Sequence, residues 1–202
     1  MKHPSTRALF AYWNERRGER PAPERGDIDP IAIRHALGDI FMLAVDFVDE
    51  QRFRLAGTRV CALFCRELKG EPFSALWNKA SRQPIQDLLA IIAADSNGAV
   101  AGVSGHAADG ATVDLELLLL PLAHQGHARI RALGVLAAAD VPYWIGQNPV
   151  KELELGSIRH VSTELERVDF PRLTLAPDGG RMRRGFKVYQ GGRMPPPNEK
   201  AG

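Results

Sequence analysis

The dipeptide Asp109-Gly110 constrains the fold more than any other feature of this sequence. It separates two runs rich in strand-forming residues, Ala99 to Ala107 and Thr112 to Pro121. Asp-Gly between such runs is typical of a two-residue turn that joins antiparallel strands, because these turns need residues that tolerate a positive φ angle. The second run is almost entirely apolar towards its end, which indicates a strand buried on both faces or nearly so. We therefore predict an antiparallel hairpin.

Three further strands are predicted around this hairpin. Ile40 to Val48 is apolar, and Arg52 to Ala56 alternates between apolar and charged residues. The few residues between these two runs are enough for a hairpin turn. Ala128 to Ala138 is the last strand of the set. Because the strands do not alternate strictly with crossover helices, we expect an α+β fold with one five-stranded antiparallel sheet and helices on one face.

Helical periodicity predicts several helices before and between these strands. They cover residues 5–17, the segment from Pro30 to a stop at Gly38, Thr58 to Leu68, a short turn at residues 73–77, and Ser81 to Ala94. The first helix carries Leu9, Phe10 and Trp13 at helical spacing on one side. A short helix is not stable alone in water, so this face must be buried, either on its own domain or on a second subunit.

The composition is typical of a globular protein and excludes several classes. The chain has 202 residues, of which 45% are hydrophobic and 25% charged, and its formal net charge is +2. So small a charge gives no reason to expect a nucleic-acid partner. No apolar run approaches the roughly 20 residues of a membrane-spanning helix, and the N-terminus lacks the apolar core of a signal peptide. We expect a cytoplasmic protein without a nucleic-acid or membrane partner.

The residues that most often carry chemistry form no recognised motif. Cys61 and Cys65 lie four residues apart and share a helix face with Phe64 and Leu68, so we predict that both are core residues rather than a metal or redox site. The histidines lack the spacing of metal ligands. Neither a nucleophile elbow nor a phosphate-binding glycine loop is present. We therefore expect no metal site and no catalysis, and the sequence identifies no cofactor.

Several blocks of residues resemble a known family. The first runs from Phe53 to Gly70. The second comprises Leu118 to Leu122, Arg131 to Gly134 and Pro142 to Gly146, and residues 25–30 add a third. Together they resemble the PAS-like domain family of alphaproteobacteria that was formerly classed as a domain of unknown function. The resemblance covers about residues 5–160, and the order of the predicted elements is also that of PAS domains. The family pattern has Gly where this chain has Cys65.

The resemblance implies three segments. An N-terminal helix and loop would occupy residues 1–30, and a PAS-like domain would occupy residues 31–160. A C-terminal extension over residues 161–202 contains several glycines, several prolines and mostly basic charges. We expect this extension to be flexible.

The resemblance also implies a role in sensing or signalling through protein contacts, and not an enzyme. A small ligand would lie in the core, where the candidate pocket residues are Phe41, Phe53, Phe64, Trp77, His106 and Leu118. The flanking helix, through Leu9, Phe10 and Trp13, would contact a second copy in a homodimer or another signalling protein. A ligand-free structural adaptor and a small-molecule enzyme on the same fold remain the alternatives.

Overall fold

The computed structural model describes residues 1–45, 50–123, 131–161, 181–183 and 186–188. Contacts divide the chain into two compact units, Met1–Leu165 and Glu166–Gly202. The predicted strand ends at residues 46–48 and 128–130 lie outside the described residues, as do His124, His127 and most of the C-terminal extension.

Six antiparallel strands form the sheet of the first unit. They are β1 (Ile40–Val45), β2 (Gln51–Ala56), β3 (Gly98–Ala107), β4 (Thr112–Leu122), β5 (Arg131–Ala138) and β6 (Val150–Val161). Their order across the sheet is β2-β1-β5-β4-β3-β6. The α+β class and the antiparallel sheet are confirmed, whereas the prediction of five strands is wrong. The sixth strand, β6, pairs with β3 along its whole length, from Gly98 opposite Val161 to Ala107 opposite Val150.

The central hairpin forms where the sequence predicts it, with a different turn. The Ala107 N–H donates to the Ala111 carbonyl at 2.9 Å, and the Gly110 N–H donates to the Ala107 carbonyl at 3.2 Å. The loop therefore has three residues instead of two. Gly110 takes the left-handed position with φ of 87°, as in three-residue hairpin loops that end on a glycine.

In the described part of the chain three helices cover the sheet, the N-terminal one on one face and the other two on the opposite face, so the prediction of helices on one face holds for the two later helices only. They are α1 (Pro4–Arg17), α2 (Thr58–Phe64) and α3 (Lys79–Asp95), with short 3₁₀ turns at Arg25–Asp27, Leu37–Asp39 and Phe73–Leu76. The helix predicted after Pro30 is wrong. Bonds from Arg34 N–H to the Ile31 carbonyl and from Ala36 N–H to the Ile33 carbonyl span three residues, so this segment folds as consecutive tight turns. The third predicted helix is shorter than expected, because Cys65 adopts a left-handed φ of 51° and ends α2.

The two faces of the sheet bury two separate cores. The first core lies between the sheet and α2, α3 and the turn at Phe73–Leu76, and the second lies between the sheet and α1. Along β4, Leu117 and Leu119 enter the first core, while Leu118 and Leu120 enter the second. All four are buried. The prediction that this strand is buried on both faces is confirmed.

In the second unit, β7 (Arg181–Arg183) pairs antiparallel with β8 (Phe186–Val188). In the described part of the chain, no helix combines the length and the apolar character needed to cross a membrane.

Candidate functional site

Four of the six predicted pocket residues meet in the first core. Phe41, Phe53, Phe64 and Trp77 are all buried there. The Phe41 and Phe53 rings lie 5.6 Å apart between centroids, and Phe73 stands 5.5 Å from each of them. Phe73 also contacts Trp77 at 5.6 Å. These are packing distances for aromatic pairs, so the rings pack against one another instead of surrounding a space.

The other two predicted pocket residues lie on the opposite face of the sheet. Leu118 belongs to the second core. His106 follows Val103 by three positions on β3, so its side chain points away from the first core. Its Nε2 lies 3.3 Å from Glu154 Oε2, and its side chain is 36% exposed. A single pocket lined by all six residues is therefore not formed, because strand alternation divides them between two faces.

The helix α1 packs on the sheet of its own chain. Leu9 and Trp13 are both 0% exposed and lie in the second core, while Phe10 stays half-buried and stacks on Trp13. The Trp13 indole N–H donates to the Pro121 carbonyl at 2.8 Å. A contact with another protein through all three residues would require α1 to leave this sheet.

A polar cluster joins the start of α1 to the rest of the domain. Asp39 stands at its centre, at the end of the 3₁₀ turn before β1. The Ser5 hydroxyl donates to Asp39 Oδ2 at 2.6 Å. From α2, Arg59 donates through Nε to Oδ1 at 2.6 Å and through Nη2 to Oδ2 at 2.7 Å. We call Ser5, Asp39 and Arg59 the Asp39 cluster.

The backbone around the Asp39 cluster leaves room for the guanidinium group. A Cβ atom at Gly38 would lie 2.8 Å from Arg59 Cζ, so only glycine lets the Arg59 side chain lie flat against this turn. Burial raises the pKa of Asp39, but the hydrogen bonds from Arg59 and Ser5 outweigh it and hold the pKa below its ordinary value. The hydrogen bond with Asp39 raises the pKa of Arg59. Both groups are therefore charged at neutral pH, and together they form a charge-assisted bidentate pair.

A second carboxylate holds the residues before α1. Glu116 on β4 accepts the backbone N–H of Lys2 at 2.7 Å and that of His3 at 2.9 Å. Burial raises the pKa of Glu116, but the hydrogen bonds from Lys2 and His3 lower it by more. The pKa of Glu116 is therefore below its ordinary value. Glu116 thereby anchors the backbone before α1 to β4.

A cleft opens next to the Asp39 cluster. Its volume is about 250 Å³. One end is polar and the remainder is apolar. The polar end comprises His3, Ser5, Asp39 and Arg59, and the apolar wall comprises Leu63, Leu136, Val141, Ile145 and two alanines. Residues of α1, α2, β5 and the segment after β5 thus meet at one end of the sheet.

The two cysteines have different surroundings. Cys61 is half-buried, and burial raises the pKa of its thiol. Cys65 is exposed, so the prediction of a core position is wrong for this residue. The left-handed turn at the end of α2 carries its side chain out of the apolar stripe. Within the described ranges, no group of three or more His, Cys, Asp or Glu side chains could hold a metal ion.

Sequence reasoning missed the Asp39 cluster. Arg59 lies in the block that resembles the family, but nothing in that block links it to Asp39 or Ser5. The only available signal was a Gly-Asp pair before a strand and a Gly-Thr-Arg sequence at a helix start. Neither pattern indicates its partner.

The solved structures that match include an RNA-binding light-oxygen-voltage receptor, which shares 19% sequence identity and a TM-score of 0.40, with 57% of this chain and 35% of that chain covered. The present chain thus spans about a third of that protein. No curated protein matches. The profile of the PAS domain family matches residues 1–137, well over half of the 202 residues. The chain therefore belongs to the PAS domain family.

Proposed function

We propose that this PAS sensory domain signals through protein contacts, and that α1 is the element that carries the signal. The observation that supports this most directly is the Asp39 cluster, which ties the start of α1 to both β1 and α2 through Ser5 and Arg59. A change in either neighbour alters the bonds that hold α1. Such a helix has a docked state and a released state, and a partner that prefers one of them shifts the balance.

The packing of the first core supports a domain whose interior is filled by its own side chains. The rings of Phe41, Phe53, Phe73 and Trp77 are in mutual contact. One observation favours the alternative, a small ligand in this core. Trp77 Nε1 is buried and has no hydrogen-bond partner among the described residues, which is costly for an N–H donor.

PAS domains are typically not enzymes, and we propose the same for this chain.

Native mass spectrometry separates the two alternatives. The purified protein is weighed under native conditions and again after denaturation. A filled core predicts equal masses apart from oligomerisation, and the homodimer expected from the sequence would give twice the chain mass. A small molecule that is retained only in the native state, and is still retained when Val141 of the cleft is replaced by glutamate, would replace the filled-core proposal with a ligand in the aromatic core.

Photo-crosslinking tests the contact itself. A photoreactive phenylalanine analogue replaces Phe10, which is half-buried on α1, and in a control replaces Ala90, which is exposed on α3. In the native host, irradiation should give a discrete adduct with another protein from position 10 and not from position 90. Equal adducts from both positions, or none from position 10, would contradict the role of α1.

A further inference from the structure

We propose that the cleft beside the Asp39 cluster binds a small amphipathic acid. The carboxylate would accept hydrogen bonds from Arg59 and His3, and the hydrocarbon part would lie against the apolar wall. The site is separate from the aromatic core, which lies beneath α2 and α3. The inference goes beyond the proposed function, since a ligand can bind here whether or not α1 contacts another protein.

Arg59 is held in one orientation and keeps donors free. Its Nε and Nη2 donate to Asp39, and Nη2 also reaches the His35 carbonyl at 3.4 Å. No described residue accepts a hydrogen bond from Nη1. The Arg59 side chain is 54% exposed and lines the cleft. Because a guanidinium group that is already fixed loses little conformational entropy on binding, its free N–H groups are well suited to a carboxylate.

His3 adds a second donor to the same end of the cleft. Its Nδ1 accepts the backbone N–H of Ser5 at 3.2 Å, which caps α1. In a neutral imidazole the nitrogen that does not accept carries the hydrogen, so Nε2 of His3 is a donor. Nε2 has no acceptor among the residues that the structure describes, and His3 lines the cleft.

The acceptors at this end are already engaged. The two oxygens of Asp39 receive the bonds from Arg59 and Ser5. The polar end thus offers donors and calls for an acceptor. Lys2 and Arg7 are exposed at the same end of α1, and the Arg7 Nη1 donates to the Lys2 carbonyl. The carboxylates of Asp39 and Glu116 offset two of the three positive side chains at this end, and the positive charge that is left favours an acidic acceptor over a neutral one.

The rest of the cleft suits hydrocarbon. Leu63, Leu136, Val141 and Ile145 form its wall. Val141 is 71% exposed, which is unusual for a valine beside a concave surface. A ligand chain that covers Val141 would remove apolar surface from water, the usual source of affinity for such a group. An acid with a short alkyl chain meets both halves of the cleft.

Titration with octanoate, followed by amide and Arg Nε signals in ¹H–¹⁵N NMR spectra, tests the proposal. Saturable shifts should appear at Leu63, Val141, Ile145 and Arg59 Nε. Octan-1-ol should bind at least about tenfold more weakly, the factor that about 1.4 kcal/mol of charge-assisted hydrogen bonding gives. Acetate, which lacks the alkyl chain, should give no saturable shifts. Shifts confined to the aromatic core, or octanol binding as tightly as octanoate, would overturn the assignment.

Variants with a matched control keep the test independent of folding. Val141→Glu places a negative charge at the cleft and should weaken octanoate binding at least about tenfold. Ile31→Glu is the control, because Ile31 is equally exposed at 72% and does not line the cleft. Arg59→Lys keeps a cation for Asp39 and should abolish the preference for octanoate over octanol. Equal losses in both glutamate variants would refute the site. That result would leave the crosslinking test of α1 unaffected.

Discussion

Gly134 on β5 supports the ring of Phe41, and we expect its replacement by alanine to destabilise the domain. The two residues face each other across β1 and β5. A Cβ at position 134 would lie 2.2 Å from Phe41 Cζ and 2.7 Å from both Cε atoms. The ring cannot move aside easily, because Phe53 and Phe73 pack against it at 5.6 and 5.5 Å.

The magnitude follows from two opposing effects. Overpacking of a filled core costs about 1–3 kcal/mol. The loss of backbone freedom in the unfolded chain returns about 0.4–1 kcal/mol when glycine becomes alanine. We therefore expect Gly134→Ala to lower the free energy of unfolding by about 1–2 kcal/mol, measured by urea denaturation.

Two comparisons sharpen this measurement. Gly102→Ala on β3 is the control, because the nearest atom to its Cβ would be Ser157 Oγ at 3.8 Å, an ordinary contact. It should leave the stability unchanged or slightly higher. Phe41→Leu should relieve the clash, so that Gly134→Ala costs less in the Phe41→Leu background than in the native one. If the two substitutions are additive, or if Gly134→Ala is as stable as the native protein, the clash is not the cause.

Three further predictions concern the turn after α2, the Asp39 cluster and α1. Cys65→Gly should raise the free energy of unfolding by about 0.5–1 kcal/mol, because glycine adopts the left-handed φ of 51° without strain. Cys65→Ser should give no such increase, and a stabilised serine variant would show that backbone strain is not the cause. The pKa of Asp39 is lower in the folded protein than in the unfolded chain, so the unfolded chain takes up the proton first as pH falls. The stabilisation by Asp39 is therefore present above about pH 4 and is lost below it. Urea unfolding at a series of pH values should show this loss, and Asp39→Asn should reduce the pH dependence. Trp13→Phe should cost about 1–3 kcal/mol, because it leaves the Pro121 carbonyl without its donor, whereas Phe10→Leu should cost less, since Phe10 is only half-buried.

The extent to which the sequence predicts this fold depends on how local the signal is. The hairpin around Asp109-Gly110 is predictable because turn and strands are adjacent in the chain. The edge strand β6 was missed because it pairs with β3, some 50 residues earlier, and only one of its edges joins the sheet. Leu153 and Leu155 alternate with acids in the first half of β6, but one extra residue of β6 opposite Gly102 shifts the pattern afterwards.

The candidate site was less predictable than the fold for the same reason. Ser5 and Asp39 are 34 positions apart, and Asp39 and Arg59 are 20 positions apart. Alternation along a strand indicates which face a side chain takes, but it does not indicate which residue from another element it meets. The division of His106 and Leu118 from Phe41 follows from alternation, in contrast, but only once β1, β5, β4 and β3 are paired in register, since Phe41 lies opposite Gly134 and Gly134 opposite Leu119.

The packing of α1 on β4 has a consequence for synthesis of the chain. The bond between Trp13 and Pro121 joins residues 108 positions apart, so the helix leaves the ribosome long before its docking surface exists. At about 5–20 residues per second, the interval is roughly 5–20 s. During this time the apolar side of α1 with Leu9 and Trp13 has no sheet to cover it. The apolar side of α1 therefore stays exposed while the strands up to β4 are made, and during this interval chaperones that bind nascent chains can reach it.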